Sequence, residues 1–297
     1  CMTSEQLIEY TNRLRKKNWA KIANGKIIEC LMDRLSLLSD DAQKELILNL
    51  TEKFKYVEIF DVMEGLPSAF SKAVLNKKKE DRDILVAPLK SPYIRVDKLN
   101  KSPKGDYLFS KAKSPDTFYP LLKNNIMDDD IIDAVRFCDE PNKIVKNYTD
   151  NAVIILVDDF IGSGLTAYKH INSYIKLLKE YKINVNIDDF CVVVDVAMKH
   201  GVNYLLENGI DSFYDVLQSK AISEDETLEE KQVESKIRIM KDIESKVFKN
   251  LNPIYSLGFE GSESLVSILN KAPNNTFPFY WEKCVGDKKA VFRRYYE

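Results

Sequence analysis

Unbroken apolar runs alternate with amphipathic stretches through the middle of the chain. Residues 84–88 and 153–157 are apolar throughout, and residues 190–196 are apolar except for Asp195. Runs without a polar face predict strands covered on both sides, as in parallel sheets. Residues 166–181 have the spacing of an amphipathic helix, so strand, helix and strand follow each other. This order predicts an α/β fold with a mostly parallel sheet.

The first eighty residues predict helices. Residues 26–38 place one apolar stripe on a helix, and residues 40–50 and 57–75 continue the helical pattern. The stripe consists of Ile27, Ile28, Leu31 and Leu35. A further helix is predicted to open at Ser4. It leads into a basic run beside Trp19, which we interpret as a solvated face because isolated charge runs on helices are usually solvated. The run consists of Arg13, Arg15, Lys16 and Lys17.

The pattern divides the chain into two expected domains. We expect a helical N-terminal region over residues 1–80 and a second domain over residues 81–297. Residues 222–250 carry a dense mixture of charges, which predicts a helical insertion that is solvated or faces a partner. Residues 264–281 predict a C-terminal cap made of a buried strand, a tight turn and an aromatic strand.

The amino-acid composition excludes several classes of function. The formal net charge is −2 with a pI near 6.0, so overall basicity gives no case for nucleic-acid binding. The five cysteines have no C-x-x-C spacing, which argues against a disulfide framework and a structural zinc site. We find neither a signal peptide nor a long apolar run and expect a cytoplasmic protein without a membrane partner. With only His170 and His200, nothing supports a Ser/His/Asp or Cys/His triad.

The richest candidate chemistry follows the aliphatic run at 153–157. Asp158 and Asp159 come first, and a turn of small residues then opens the helix. The turn consists of Gly162, Ser163, Gly164, Leu165 and Thr166. Such a turn presents free backbone N–H groups to a phosphate, and carboxylates accept hydrogen bonds from hydroxyls. A ribose 5-phosphate carries both groups.

These residues resemble the PRPP-binding motif of type I phosphoribosyltransferases. The resemblance implies a Rossmann-like, mostly parallel sheet of that kind, with the helical N-terminal region and C-terminal cap described above. It implies that Asp158 and Asp159 are catalytic residues holding the ribose 2′- and 3′-hydroxyls, while residues 162–166 bind the 5-phosphate. It also implies a glycosyltransferase using Mg²⁺ bound to PRPP, with no metal held by the protein itself.

Two further groups of residues follow from the same resemblance. By position, the loop after the first core strand would bind pyrophosphate, and the residues past the strand at 190–196 would face the acceptor. The pyrophosphate loop is Leu89, Lys90 and Ser91, and the acceptor side is Met198, Lys199 and His200. Lys101–Tyr107 lies where the family has a mobile loop. Gly162 replaces the Asp that hypoxanthine-guanine members carry, so we do not expect ordinary purine salvage.

The motif and the tail Pro273-Asn-Asn-Thr276 together resemble a branch found in bacterial conflict systems, some of them beside retron reverse transcriptases. This resemblance implies an effector in anti-phage defence with a protein or reverse transcriptase–nucleic acid partner. An alternative is a non-catalytic module that senses ribose phosphate or binds a partner. The acceptor substrate and the oligomeric state stay open.

The turn also allows a second interpretation, in which the protein is a dinucleotide-binding enzyme. Gly162-Ser-Gly-Leu-Thr-Ala167 fits G-x-G-x-x-A, and Asp188 and Asp189 follow at about the expected distance. However, four residues separate the strand from the first glycine, and two of them are acidic. Two carboxylates beside a pyrophosphate would repel it, so the ribose-phosphate reading is favoured.

Overall fold

The structure is a computed structural model that describes residues 3–16, 26–96, 103–110 and 114–294. Its described helices are α1 (Ser4–Lys16), α2 (Lys26–Leu35), α3 (Asp41–Glu52), α4 (Ile59–Lys79), α5 (Pro115–Asn125), α6 (Asp129–Asp133), α7 (Pro141–Asn147), α8 (Leu165–Glu180), α9 (Lys199–Glu207) and α10 (Glu230–Val247). None of these helices is long and apolar enough to cross a bilayer.

Strands in the same ranges are β1 (Lys55–Val57), β2 (Asp83–Pro88), β3 (Pro92–Val96), β4 (Pro103–Phe109), β5 (Val135–Phe137), β6 (Ala152–Val157), β7 (Phe160–Ile161), β8 (Phe190–Met198), β9 (Asp211–Gln218), β10 (Val266–Ile268), β11 (Lys271–Ala272) and β12 (Arg293–Arg294). Short 3-10 helices include Ile187–Asp189 and Pro278–Tyr280.

The chain forms two compact units. One unit contains residues Ile59–Gln218, and the other combines Cys1–Glu58 with Ser219–Glu297. The grouping differs from the boundary expected at residue 80. α4 joins the central sheet, and the residues after 218 join the N-terminal helices because both share one apolar core.

The unit of residues 59–218 is built on a parallel sheet. β5, β2, β6, β8 and β9 lie side by side in that order, and each neighbouring pair is parallel. The short β7 pairs with β8 beyond the end of β6. A separate antiparallel hairpin joins β3 to β4. The α/β fold with a mostly parallel sheet, predicted from the sequence, is therefore confirmed.

Helices cover both faces of this sheet, which explains why its central strands β2 and β6 have no polar side. Ile154, Leu156 and Val192 share one core with Ile171 and Leu178 of α8. On the other face, Phe70 of α4 stacks on Phe137 of β5, and Tyr119 of α5 donates a hydrogen bond of 3.2 Å to the Val86 carbonyl. Burial of both faces stabilises the sheet by the hydrophobic effect.

The second unit has a smaller sheet. Its strand order is β1, β10, β11 and β12, with β1 and β10 parallel. α10 supplies Met240, Ile243 and Val247 to the apolar core of this unit. The segment expected to be solvated at 222–250 therefore buries one face, because its apolar residues recur at helical spacing that the many charges obscured.

Two sequence-based element assignments were wrong. In sequence, the acidic residues of 127–133 and the apolar residues that follow predict one amphipathic helix carrying Val135 and Phe137. In the structure, α6 ends at Asp133 and both residues lie on β5. Pairing with β2 outweighs the helical pattern there. The aromatic segment at 277–281 forms the 3-10 helix Pro278–Tyr280 instead of a strand, with proline at its first position.

Candidate active site

Asp158 and Asp159 lie between β6 and β7, two strands that both pair with β8. β6 ends at Val157, Asp158 donates its backbone N–H to the Val193 carbonyl at 3.1 Å, and Val196 donates to the Asp159 carbonyl at 3.1 Å. β7 then continues along β8. Backbone pairing to β8 thus fixes both residues at the carboxyl end of β6, the edge at which open α/β sheets bind ligands.

Ser114 joins the two carboxylates. It precedes α5, and its hydroxyl donates to an oxygen of Asp158 and to an oxygen of Asp159. Burial and the nearby charge of Asp159 raise the pKa of Asp158 well above its ordinary value. A hydroxyl has one hydrogen, so a proton on Asp158 would satisfy the second contact. The remaining carboxyl oxygens of the pair can accept hydrogen bonds from hydroxyl groups.

The small-residue turn leads directly into α8. Gly164 caps this helix with φ of +81°, which favours glycine, and a Cβ there would lie 2.8 Å from the Gly201 carbonyl oxygen. The N–H groups of the first helical turn have no intrahelical acceptors. Gly201 of α9 is equally confined, because a Cβ on it would collide with the Gly162 carbonyl oxygen. Close backbone packing thus shapes a cradle of N–H groups suited to an anion.

The loop expected to bind pyrophosphate lies beside the acidic pair. Leu89 donates its N–H to the Val157 carbonyl at 2.9 Å, which joins the loop to the end of β6. Lys90 is 6% exposed and its ammonium forms an ion pair with the largely exposed Asp116. The Ser91 hydroxyl is 2.6 Å from Nδ1 of His170 on α8. The structure therefore brings the predicted loop, the acidic pair and α8 to one edge.

The residues expected on the acceptor side lie at the carboxyl end of β8. Met198 is fully buried as the last residue of that strand, whereas Lys199 is exposed and His200 half-buried at the start of α9. β7 and β8 pair through Ile161 and Ala197, so this end lies next to the turn. Lys199 and His200 are therefore accessible at this end of the sheet, and Met198 is not.

The structure argues against the dinucleotide reading. Asp188 and Asp189 lie in the 3-10 helix before β8, and β8 begins beside Ile154 near the amino end of β6. The carboxyl-end turn and these acids are thus at opposite edges of the sheet. Asp189 is already engaged, because it forms a 2.5 Å ion pair with Arg82.

Sequence reasoning missed Ser114, Asp116 and His170. Ser114 is 44 residues from its partner Asp158 in the sequence, and Asp116 is 26 residues from its partner Lys90. His170 lies one turn into α8, where its spacing from residues 162–166 could have placed it near the cradle. Burial lowers its pKa, so the ring favours the neutral form beside Ser91.

Other predicted features lie outside this site. Arg13 forms ion pairs with Glu45 and Glu52, while Lys17 and Trp19 lie outside the described residues. Of Lys101–Tyr107, residues 101 and 102 lie outside them too, and the remainder belongs to β4. Among the described residues, no cluster of three or more His, Cys, Asp or Glu could hold a metal ion.

The tail Pro273–Thr276 belongs to the core of the other unit. Asn275 donates a side-chain hydrogen bond of 2.8 Å to the Ser262 hydroxyl, and the Thr276 hydroxyl donates one of 2.9 Å to the Val266 carbonyl. Trp281 donates its indole N–H to the Thr276 carbonyl at 2.7 Å. These contacts give the segment a structural role within its unit.

Comparison with known proteins assigns the chain to a family. A family model described as PRTase-CE matches residues 36–294. The search of curated proteins found no match. Orotate phosphoribosyltransferase from Aeropyrum pernix, a solved structure, shares 11% identity over 50% of this chain and 70% of its own, with a TM-score of 0.24, which supports no conclusion. Because the family model covers most of the sequence, the chain belongs to the PRTase-CE family, which is phosphoribosyltransferase-like.

Proposed function

We propose that this protein binds PRPP or a related ribose 5-phosphate and transfers or cleaves the group at C1′. One observation supports this proposal most. Asp158 and Asp159 form hydrogen bonds with a serine hydroxyl, and the turn before α8, with its free N–H groups, lies at the same edge of the sheet. A ribose 5-phosphate offers vicinal hydroxyls to the first feature and a phosphate to the second.

Each half of the site suits one part of that ligand. The carboxylates would accept hydrogen bonds from the 2′- and 3′-hydroxyls, and charged hydrogen bonds of this kind are the stronger ones. Residues 162–166 would surround the 5-phosphate, whose charge the N-terminus of α8 favours. Lys90, Leu89 and Ser91 would face the pyrophosphate, with His170 holding the Ser91 hydroxyl in place.

The reaction follows from the bonds of PRPP. The bond between C1′ and the pyrophosphate oxygen breaks, its electron pair leaves with pyrophosphate, and an acceptor nucleophile bonds to C1′ from the other face. Mg²⁺ bound to the phosphates would neutralise the leaving group. The residues of this chain would act by positioning and by electrostatic stabilisation of charge. Lys199 and His200 are the candidates to meet the acceptor.

Calorimetric titration tests the proposal. PRPP with Mg²⁺ should bind the folded protein, and NAD(H) should not. Absence of heat with PRPP, ribose 5-phosphate and nucleoside 5′-monophosphates would refute both an enzyme and a ribose-phosphate sensor. Release of pyrophosphate, with or without added acceptors, then separates the two, since a sensor would bind PRPP without turning it over.

We further propose that the protein is an effector in bacterial anti-phage defence, held in check by a partner such as a retron reverse transcriptase and its nucleic acid. The support is the sequence resemblance of the acidic motif and the Pro273–Thr276 tail. Expression in a sensitive bacterial host, with Asp158 and Asp159 present or changed to Asn at matched protein levels, tests this role. Growth arrest that requires the acidic pair is expected, and equal growth of both strains would contradict it.

A further inference from the structure

One short segment contacts both halves of the candidate site. Ser114 donates its hydroxyl to Asp158 and Asp159, and Asp116, two residues later, accepts the ion pair from Lys90. The first contact lies where the ribose hydroxyls are proposed to bind. The second contact pairs Asp116 with Lys90, the cation of the proposed pyrophosphate loop. A hydroxyl and a carboxylate thus stand in chemically for a sugar hydroxyl and a phosphate oxygen.

Ser114 makes these contacts instead of its usual local one. It is the N-cap of α5, a position at which serine normally accepts a hydrogen bond from the second or third helical N–H. Its side chain makes no capping hydrogen bond, and its backbone is helical, with φ of −76° and ψ of −54°. The residue therefore has two alternative uses, one on the acidic pair and one on its own helix.

Among the described residues, opening the segment would disturb the first turn of α5 and leave the rest of the helix in place. Phe118 and Leu122 are buried, and Tyr119 is fixed by its hydrogen bond to the Val86 carbonyl. Asp116 in the first turn would keep favourable contact with the helix N-terminus after leaving Lys90. Because Pro115 has no N–H, the turn has one backbone donor fewer to satisfy.

We propose that Ser114 and Asp116 form a latch that occupies the ligand site in the resting protein and is displaced when a ribose phosphate binds. The inference rests on the proposed function. In the open state the Ser114 hydroxyl caps α5 and Lys90 is released toward the pyrophosphate. Ligand binds only the open molecules, so the apparent dissociation constant is the intrinsic one divided by the open fraction.

Binding kinetics of PRPP with Mg²⁺ to the full chain test the latch. Ser114→Gly and Asp116→Asn should each tighten binding by about threefold, and together by about tenfold, as the open fraction rises. Glycine removes the hydroxyl from the acidic pair and is still suited to an N-cap position, so the open state loses little. The gain should lie in the association rate, with the dissociation rate unchanged. Ser114→Thr keeps the hydroxyl and should behave like the parent. Asp129→Asn removes an exposed first-turn carboxylate from α6 and controls for net charge.

The outcomes separate the latch from the proposed function. Weaker binding by Ser114→Gly with a faster dissociation rate would overturn the latch, because Ser114 would then be a ligand contact. Unchanged binding in both variants would overturn it as well. If neither the parent nor the opened double variant bound PRPP, the proposed function itself would fail. Binding by the double variant alone would be the strongest support.

Discussion

Two buried acidic sites, one in each unit, use their carboxylates in opposite ways. In the unit of residues 219–297 and 1–58, Glu263 is 2% exposed and accepts the backbone N–H groups of Ile222 at 2.9 Å and Ser223 at 2.8 Å. In the other unit, Asp158 and Asp159 stand side by side and share the hydroxyl of Ser114. The first site satisfies backbone donors, and the second concentrates like charges.

The difference gives Glu263 a structural role and matches the ligand-binding role that we propose for Asp158 and Asp159. Removing Glu263 would leave backbone donors without partners, so the fold depends on it. The acidic pair instead raises the pKa of Asp158 through burial and repulsion, a cost that a ligand could offset. The same residue type therefore predicts loss of stability at one site and loss of binding at the other.

Changing Asp158 and Asp159 together to Asn should have the largest effect. Each charged hydrogen bond contributes about 1.5 to 3 kcal/mol, so the affinity for PRPP with Mg²⁺ should fall by about a hundredfold or more. The fold should persist, because both side chains lie at a strand end. Calorimetry and thermal unfolding measure the two expectations.

The adjacent exposed pair Asp129 and Asp130, changed to Asn, is the matched control for charge. Its affinity should equal that of the parent. Parent-like binding by the Asp158/Asp159 variant would show that ribose binds elsewhere.

Gly201→Ala should disturb both binding and stability. The new Cβ would collide with the Gly162 carbonyl oxygen and push the turn out of shape. We expect about 1 to 3 kcal/mol lower unfolding free energy and at least about tenfold weaker PRPP binding. Asn203→Ala, exposed on the same helix, should change neither. If Gly201→Ala lowered stability but left PRPP binding unchanged, the packing of α9 against the turn would not be needed for binding.

Glu263→Gln should lower stability and leave binding alone. The Gln amide oxygen would accept both backbone N–H groups as a neutral acceptor in place of a carboxylate oxygen, and these weaker hydrogen bonds should cost about 1 to 3 kcal/mol. Denaturant unfolding should detect the loss, while PRPP affinity of the folded protein stays constant. Glu226→Ala removes an exposed carboxylate of the same unit and should be neutral. Loss of PRPP affinity in the folded Glu263→Gln variant would contradict the assignment.

Asp158→Asn alone should raise stability slightly at neutral pH. Since the pKa of Asp158 is raised in the folded state, the folded protein binds more protons, and stability falls as pH rises from about 4 through the raised value. Asn removes this fall, so we expect a higher Tm than that of the parent at pH 7, with a difference that shrinks as the pH falls. The two proteins should agree below about pH 4. A lower Tm at pH 7 would show that the carboxylate stabilises the fold.

Local sequence was enough to predict the strands and the turn of the site. The aliphatic runs at 84–88 and 153–157 form β2 and β6, and the residues after each lie at one sheet edge, as expected. Their periodicity and glycine content are local properties that a single strand or turn determines. The family match confirms the phosphoribosyltransferase-like assignment made from these residues.

Long-range contacts could not be predicted in the same way. Ser114 and Asp116 resemble ordinary helix-capping residues in sequence, and only the fold places them on Asp158 and Lys90. The division into units was missed for a similar reason, because the core that joins α2 and α10 spans about two hundred residues of sequence. β5 was missed because its pairing with β2 outweighs a helical pattern.

The central claim is that these two carboxylates hold the vicinal hydroxyls of a ribose. The most direct test titrates ribose 5-phosphate and 2-deoxyribose 5-phosphate into the parent and into the Asp158→Asn, Asp159→Asn variant. Because a charged hydrogen bond is lost, 2-deoxyribose 5-phosphate should bind the parent about tenfold or more weakly than ribose 5-phosphate. The variant should show a far smaller difference between the two ligands. Equal discrimination by both proteins would contradict the claim, because the 2-hydroxyl would then be held by other groups.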